Sequence, residues 1–181
     1  MNEVRIIGGK WKRRKLAFPN RPTLRPTPDR ARVTLFNWLA APIVGAHCLD
    51  LFAGSGALGF EALSRGAASA TLIDSDPMVV NALRENALRL DATACVIQCA
   101  SALAFLRSSE RVWDIVFLDP PFASALLSAA LAALAVGPQL HAHSIVYVES
   151  GIDTLPNLDR WETLKQTRTG AVASLLLKRA V

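Results

Sequence analysis

The sequence predicts an α/β fold with a doubly wound, mostly parallel sheet and an antiparallel hairpin at its carboxyl end. Short apolar runs of strand length alternate with alanine- and leucine-rich stretches of helical period. The repetition of strand, helix and strand is typical of right-handed crossovers in a parallel sheet. After residue 160 the rhythm changes, because two strand-like runs flank Arg168-Thr169-Gly170 with no helix between them. These runs predict the hairpin.

Each element has its own signal. A helix is predicted from Pro28 to about Ala40, with Thr27 as its N-cap and Pro28 at the first helical position. Its apolar positions are Val33, Phe36, Trp38 and Leu39. The buried strands predicted after it are HCLDLF, SATLID, ACVIQC, VWDIVFLD and SIVYVES. The helices predicted between them are GALGFEALSRG, PMVVNALRENALRL, SALAFLRSSE and SALLSAALAALAV.

Length and composition indicate one globular domain with an appendage. The chain has 181 residues, of which 51% are hydrophobic and 19% charged. No apolar run reaches the roughly 18 residues of a membrane span, so we expect a cytoplasmic protein without a membrane partner. Three cysteines, Cys48, Cys95 and Cys99, lie in apolar segments without CxxC spacing. We expect buried, reduced thiols and no metal site.

The positive charge is concentrated at the amino end. Residues 1–32 contain ten Lys or Arg against two acidic residues, a net charge of +8, whereas the whole chain carries +5. Four prolines then interrupt residues 19–28. The sequence therefore predicts a basic arm and connector at residues 1–27, followed by the α/β domain at residues 28–181. A polyanion such as a nucleic acid is the expected partner of the arm.

The first strand-to-helix turn predicts a nucleotide-type cofactor site. In DLFAGSGALG, Gly54, Gly56 and Gly59 form a GxGxxG pattern, which lets a ligand approach the backbone. Asp74 ends the next strand 20 residues after Gly54, as suits a carboxylate that binds ribose hydroxyls. Both NAD and S-adenosylmethionine fit this pattern. Asp50 favours S-adenosylmethionine, because a carboxylate suits the cationic amino end of that cofactor and repels a pyrophosphate.

The tetrapeptide Asp119-Pro120-Pro121-Phe122 follows an apolar strand and predicts a site for an amino group. An Asp119 oxygen and the Pro120 carbonyl are acceptors for the two N–H bonds of an exocyclic amine, whose lone pair then points at a methyl donor. The paired prolines fix the backbone. Phe122 offers a face on which the base stacks.

The segments RIIGGKWKRRKL, LRPTPDRARVTLFNWL, DLFAGSGALGFEALSRGA and DPPF resemble the bacterial 16S ribosomal RNA guanine-N2 methyltransferases, over nearly the whole chain. The resemblance implies a monomeric class I methyltransferase, with a Rossmann-like sheet, that uses S-adenosylmethionine to modify a guanine in 30S particles or their assembly intermediates. The implied cofactor residues are Asp50, Phe52, Gly54, Gly56, Asp74, Ser75, Ser101 and Ala102. The implied residues at the target amine are Asp119, Pro120, Pro121 and Phe122. The implied rRNA-binding residues are Arg5, Lys10, Trp11, Lys12, Arg13, Arg14, Arg25, Thr27 and Arg30.

Several alternatives stay open at this point. Trp11 either stacks on a base or anchors the arm. Ser101 or the Ala102 amide is the expected adenine contact, since the Asp or Asn common in the family is absent there. An adenine-N6 methyltransferase has the same acceptor geometry. A non-catalytic rRNA-binding assembly factor has the same basic arm.

Overall fold

A computed structural model describes residues 1–21, 28–121 and 125–180, and within them the chain forms a two-stranded hairpin and a seven-stranded sheet flanked by helices. The hairpin strands are β1 Asn2–Arg5 and β2 Lys15–Phe18. The sheet strands are β3 His47–Asp50, β4 Ser69–Asp74, β5 Cys95–Cys99, β6 Trp113–Leu118, β7 Leu140–Gly151, β8 Trp161–Thr169 and β9 Val172–Arg179. The α-helices are α1 Asp29–Trp38, α2 Ala57–Ser64, α3 Pro77–Leu90, α4 Ala102–Ser108 and α5 Leu126–Val136.

The order of the strands is β5-β4-β3-β6-β7-β9-β8. The first five are parallel, and β9 is antiparallel to both β7 and β8. This confirms the predicted doubly wound sheet with an antiparallel carboxyl-terminal hairpin. The chain runs outward from β3 to β5 and then returns to β6, so the strand order reverses between β3 and β6. Ligands of such sheets bind beyond the carboxyl ends of the strands at this reversal.

β7 begins at Leu140, four residues before the predicted strand SIVYVES at Ser144. Leu140 pairs with Trp113, and the register shifts between Trp113 and Ile115. Ser144 bridges this irregularity, because its Oγ donates to the Trp113 carbonyl at 2.7 Å and accepts the His141 N–H at 2.9 Å. His141, Ala142 and His143 are polar or small, so they interrupt the apolar pattern between Leu140 and the predicted strand.

The helix predicted from Pro28 to Ala40 is α1, but its ends differ. Pro28 occupies the N-cap position rather than the first helical position, and the helix ends at Trp38. The predicted cap, Thr27, lies outside the described residues.

The buried face of α1 consists of Arg32, Leu35, Phe36 and Leu39. Of the four apolar positions in the predicted helix, Phe36 and Leu39 are buried, Trp38 is half-buried and Val33 is 38% exposed. The buried positions follow the spacing i, i+3, i+4 and i+7, which begins at a charged residue. The buried face therefore begins one residue before the first apolar position of the helix, Val33.

The sheet has a hydrophobic core on each face. On one face α1, α2 and α3 pack around Phe36, Phe60 and Leu83. On the other face α4 and α5 pack around Phe105 and Leu131. None of the helices in the described ranges combines the length and hydropathy needed to cross a bilayer.

The amino-terminal hairpin packs on the first of these faces. Its buried side chains, Val4, Ile6, Trp11, Leu16 and Phe18, belong to the same core as α1, α2 and α3. The backbone of Ala17 also exchanges two hydrogen bonds with the buried Asn86 amide on α3, at 3.1 and 2.9 Å. Much of the predicted basic arm is thus folded against the helices.

Glu61 on α2 is a fully buried carboxylate that joins three parts of the chain. Its two oxygens accept the backbone N–H groups of Ile7 and Gly8, beyond β1, at 2.7 and 2.8 Å. Arg65 Nε donates to the same carboxylate at 2.7 Å. Arg32 Nη1 of α1 lies 3.9 Å from it.

Arg32 is also fully buried. Its Nη1 donates to the Arg5 carbonyl at 2.9 Å, and its Nη2 donates to Asp29 at 2.6 Å. A buried charge is tolerated only when it is paired and hydrogen-bonded. The Arg32–Glu61 pair therefore fixes the hairpin, α1 and α2 relative to one another.

The edges of the sheet are β5 and β8. Within β8 Trp161 is buried, whereas Glu162, Lys165 and Arg168 are exposed. The prediction of buried thiols is confirmed for Cys48 and wrong for Cys99 in β5, which is exposed. The position of β5 at the edge explains the difference, and Cys95 in the same strand is half-buried.

We expect Glu61→Gln to lower the free energy of unfolding by about 3 kcal/mol, because one partner of a buried ion pair is neutralised. Glu3→Gln is the matched control, since it removes a carboxylate from an exposed ion pair with Lys15. Urea unfolding followed by circular dichroism measures both. Equal effects of the two substitutions would contradict the central role of Glu61.

Candidate active site

Three carboxylates meet at the carboxyl edge of the sheet, where the strand order reverses. Asp50 ends β3, Asp74 ends β4 and Asp119 follows β6 directly. Strands β4, β3 and β6 are neighbours, and Asp50 pairs with Phe117 across β3 and β6. The fold therefore brings the glycine loop and the segment 119–121 to one place.

The glycine loop has the backbone that the sequence pattern requires. Gly54 and Gly56 have φ angles of 51° and 77°, in the left-handed region that favours glycine. A Cβ atom on Gly56 would lie 2.6 Å from the Phe60 ring and 2.7 Å from Leu83. α2 begins at Ala57, immediately after the loop, so its first N–H groups point toward a ligand there.

Asp50 lies beneath this loop and is almost fully buried. Its Oδ2 accepts the Gly59 N–H at 3.0 Å, which ties the strand to the first turn of α2. Burial, together with the nearby charges of Asp119 and Asp74, raises the pKa of Asp50 to about 7, although the hydrogen bond from the Gly59 N–H lowers it. The predicted contact of Asp50 with the amino end of a cofactor stays a prediction.

Asp74 holds the glycine loop from the side. Its Oδ2 accepts the Gly54 N–H and its Oδ1 accepts the Asp76 N–H, each at 2.9 Å. Its side chain remains half-exposed, and Ser75 beside it is exposed. A ribose at this edge would therefore find a carboxylate whose orientation is already fixed.

The other predicted cofactor residues surround the same edge. Phe52 is half-buried between Asp50 and the glycines. Ser101 is exposed and caps α4, because its Oγ accepts the Ala104 N–H at 3.3 Å. Ala102 is buried behind it. The adenine contact assigned to Ser101 or Ala102 stays a prediction.

Segment 119–121 leaves the sheet beside the glycine loop. Asp119 is half-buried, Pro120 is buried and Pro121 is exposed. The Leu51 N–H donates to the Phe117 carbonyl at 3.2 Å, so the strand that carries the segment is fastened to the start of the loop. Phe122 lies outside the described residues, and its predicted stacking role stays a prediction.

Sequence reasoning missed one residue at this edge, Glu149 of β7. The residue is 3% exposed, and the Tyr147 hydroxyl donates to its carboxyl group at 3.0 Å. Burial and, after it, the charge of Asp119 raise the pKa of Glu149 to about 8. A charged residue type inside the apolar run SIVYVES was the available signal.

The predicted RNA-binding residues lie on the hairpin and on α1. Those that are exposed are Arg5, Lys10, Lys12, Arg13, Arg14 and Arg30. Arg14 Nη2 donates to the Arg89 carbonyl at 2.7 Å, so the exposed Arg89 of α3, which the sequence did not indicate, adjoins this surface. Arg25 and Thr27 lie outside the described residues.

Trp11 is buried among the core residues of the hairpin, with 8% of its surface exposed. Its N–H group on the backbone donates to Ser64 Oγ at 2.9 Å, and Lys10 Nζ lies 4.3 Å above its ring. Of the two roles considered for Trp11, these contacts favour an anchor for the hairpin over a stacking surface for a base.

Within the described ranges, no group of three or more His, Cys, Asp or Glu residues could hold a metal ion. His141 Nε2 lies 2.9 Å from Asp114 Oδ1 at the opposite end of the sheet. Burial raises the pKa of Asp114, but hydrogen bonds from the His47 backbone and from His141 outweigh it, so the pKa is lowered overall.

Known proteins resemble the chain over nearly its full length. Ribosomal RNA small subunit methyltransferase D of Escherichia coli K12 is 46% identical over 181 residues, which cover 98% of this chain and 90% of the relative. The protein of the same name from Haemophilus influenzae Rd is 43% identical over 176 residues, which cover 94% and 91%.

Solved structures agree with this similarity. The Escherichia coli protein yhhF superposes with a TM-score of 0.89 at 44% identity, and the match covers 99% of each chain. Ribosomal protein L11 methylase of Lactobacillus delbrueckii subsp. bulgaricus superposes with a TM-score of 0.70 at 21% identity, over 83% of this chain and 80% of its own. The second match shows only that the two chains share a fold.

The family described as Conserved hypothetical protein 95 matches residues 4–178. Its extent and the relatives above confirm the family that the sequence motifs indicated. The chain therefore belongs to the Conserved hypothetical protein 95 family, together with relatives named ribosomal RNA small subunit methyltransferase D.

Proposed function

We propose that this methyltransferase transfers a methyl group from S-adenosylmethionine to the exocyclic N2 amine of a guanine in 16S rRNA. The observation that carries the proposal is the position of Asp119 and Pro120 directly after β6, beside the glycine loop that follows β3. The names of the relatives, ribosomal RNA small subunit methyltransferase D, support the choice of substrate.

The glycine loop and the two carboxylates next to it suit S-adenosylmethionine. The loop turns tightly because Gly54 and Gly56 adopt left-handed φ angles, and the side chains of Phe60 and Leu83 fill the space where a Cβ atom of Gly56 would lie. Asp74 offers a fixed acceptor for ribose hydroxyls. When bound, the cofactor supplies an electrophilic methyl group on a positively charged sulfur. The acidic edge of the sheet favours that positive charge.

Asp119 and Pro120 prepare the nucleophile. The lone pair of a guanine N2 amine is delocalised into the ring, so the nitrogen is a poor nucleophile until it is rehybridised. An oxygen of Asp119 and the carbonyl of Pro120 accept its two N–H bonds, and the lone pair then points at the methyl group. The nitrogen–carbon bond forms as the sulfur–carbon bond breaks. The electron pair of the broken sulfur–carbon bond stays on sulfur. The methylated nitrogen then loses a proton to water.

The exposed basic residues of the hairpin provide the RNA surface of this proposal. Each Lys or Arg that neutralises a phosphate releases a counterion, so such contacts add affinity that does not depend on base sequence. The Glu61–Arg32 network holds this hairpin next to α2, the helix that follows the glycine loop. RNA held by the hairpin is thus kept at a constant position relative to the methyl donor. We further propose that the protein acts as a monomer on small-subunit particles.

We expect Asp119→Ala to lower the rate of methyl transfer by about 10²- to 10³-fold, because one preorganised hydrogen-bond partner of the reacting group is lost. The affinity for S-adenosylmethionine should remain nearly unchanged. Single-turnover transfer to 30S subunits and calorimetry measure the two quantities. Asp114→Ala, at the amino end of the same strand, is the matched control and should leave the transfer rate intact.

Mass spectrometry of the nucleosides from the same reaction identifies the product. N2-methylguanine supports the proposal. N6-methyladenine in its place would show the adenine-N6 alternative to be correct. Binding to 30S subunits without any methylated product or heat from S-adenosylmethionine would identify a non-catalytic assembly factor.

We expect Arg13→Ala combined with Arg14→Ala to weaken rRNA binding and to flatten its salt dependence. Removing two cations that bind phosphates should reduce the slope of log K against log salt by about 1.4 to 1.8. The matched control is Arg107→Ala combined with Arg168→Ala, which removes the same charge from exposed positions on α4 and β8. Filter binding at several salt concentrations measures the slopes. Equal slopes for both double variants would exclude the hairpin as the RNA surface.

A further inference from the structure

Glu149 is a buried carboxyl group to which the proposed methyl transfer assigns no role. It lies in β7, next to the strand that leads into Asp119. The parallel register pairs Phe117 with Tyr147 and Leu118 with Val148. The next position in the same register sets Asp119 beside Glu149.

The two acids also share a face of the sheet. Side chains alternate along a strand, so Tyr147 and Glu149 point to the same face. The Tyr147 ring meets the Phe117 ring edge-on with centroids 6.5 Å apart, and both belong to the core on the α1 side. Asp119 follows Phe117 by two residues. Consistent with this placement, the charge of Asp119 raises the pKa of Glu149. Of the causes of the raised pKa, only burial is larger.

The surroundings of Glu149 hold its carboxyl group in place. The Tyr147 hydroxyl donates to Oε2 at 3.0 Å and lies 3.2 Å from Ser174 Oγ. Ser174 is the cross-strand partner of Glu149 in β9. No Lys or Arg of the described ranges forms an ion pair with Glu149. Among the described residues, Asp119, directly after β6, is the charged group whose charge acts on Glu149, and it also acts on Asp50 of β3.

On the basis of the proposed function, we propose that Glu149 is a positioning residue that sets the negative charge beside Asp119 and thereby the electric field on the target amine. It does not touch the amine, because it is buried behind Asp119. Tyr147 takes part by donating a hydrogen bond to the charged form of the carboxyl group.

The effect of this charge follows from the reaction. As the nitrogen–carbon bond forms and the sulfur–carbon bond breaks, positive charge moves from the sulfur to the nitrogen, toward the two acids. Neutral Glu149 leaves Asp119 as the single negative group of the pair, whereas ionised Glu149 adds a second. The second charge stabilises the transition state, so ionisation of Glu149 speeds the transfer. The raised pKa of Glu149, about 8, places this change above neutral pH.

Single-turnover methyl transfer to 30S subunits between pH 6 and pH 9 tests the proposal. We expect the rate of the unmodified protein to rise about 10-fold across pH 8. Glu149→Gln should keep the low-pH rate and lose the rise. Tyr147→Phe should move the rise to higher pH, because the hydrogen bond that favours the charged form is gone. The guanine and the cofactor titrate identically in all three proteins. A rise of the same size and midpoint in Glu149→Gln would overturn the proposal.

A second measurement does not depend on activity. In protein labelled with ¹³C at the glutamate carboxyl groups, the NMR signal of Glu149, assigned through its loss in Glu149→Gln, reports its titration. We expect a midpoint near pH 8 that falls in Asp119→Asn, because the neighbouring negative charge is removed. A midpoint unchanged by Asp119→Asn refutes the coupling, whatever the protein methylates. If the midpoint shifts but the protein methylates no guanine, the coupling between Glu149 and Asp119 is supported. Only the proposed function is then refuted.

Discussion

The buried carboxylate of Glu61 is the interaction on which the arrangement of the molecule depends. A sheet with helices on both faces does not by itself fix an amino-terminal hairpin. Besides the hydrophobic core of the hairpin, Glu61 helps to do so by accepting two backbone N–H groups beyond β1 while it pairs with Arg32 of α1. An unpaired buried charge is costly, so the three elements separate only together. The surface proposed for RNA and the helix after the glycine loop are parts of one rigid unit.

The carboxyl edge of the sheet has a different electrostatic character from the hairpin. Asp50 and Glu149 lie on β3 and β7, Asp119 directly follows β6 between them, and burial disfavours the charged forms of Asp50 and Glu149. The basic surface and the acidic edge thus divide the two tasks of the proposed reaction. The basic surface attracts the polyanionic RNA from a distance. The acidic edge stabilises the positive charge that moves a few ångströms, from sulfur to nitrogen, during the reaction.

The parts of this structure that local backbone chemistry dictates were predictable from the sequence. The glycine loop needs the left-handed angles of Gly54 and Gly56, and alternating apolar runs specify the parallel sheet. Features that depend on pairing between distant segments were not predictable. Arg32 looks like one more basic residue of the arm until Glu61, 29 positions later, packs against it. Glu149 acquires its surroundings only from the register of β6, β7 and β9.

The outermost strand on the carboxyl-terminal side, β8, has a consequence for how copies of the protein meet. An unpaired strand invites a neighbouring chain to extend the sheet, and natural proteins discourage this with charged side chains at the edge. Glu162, Lys165 and Arg168 are exposed along β8 and so oppose fusion of two sheets into a continuous ribbon. At the high concentrations of a crowded cell, the charged side chains of β8 oppose self-aggregation. This strand is the one farthest in the sheet from the strands of the glycine loop.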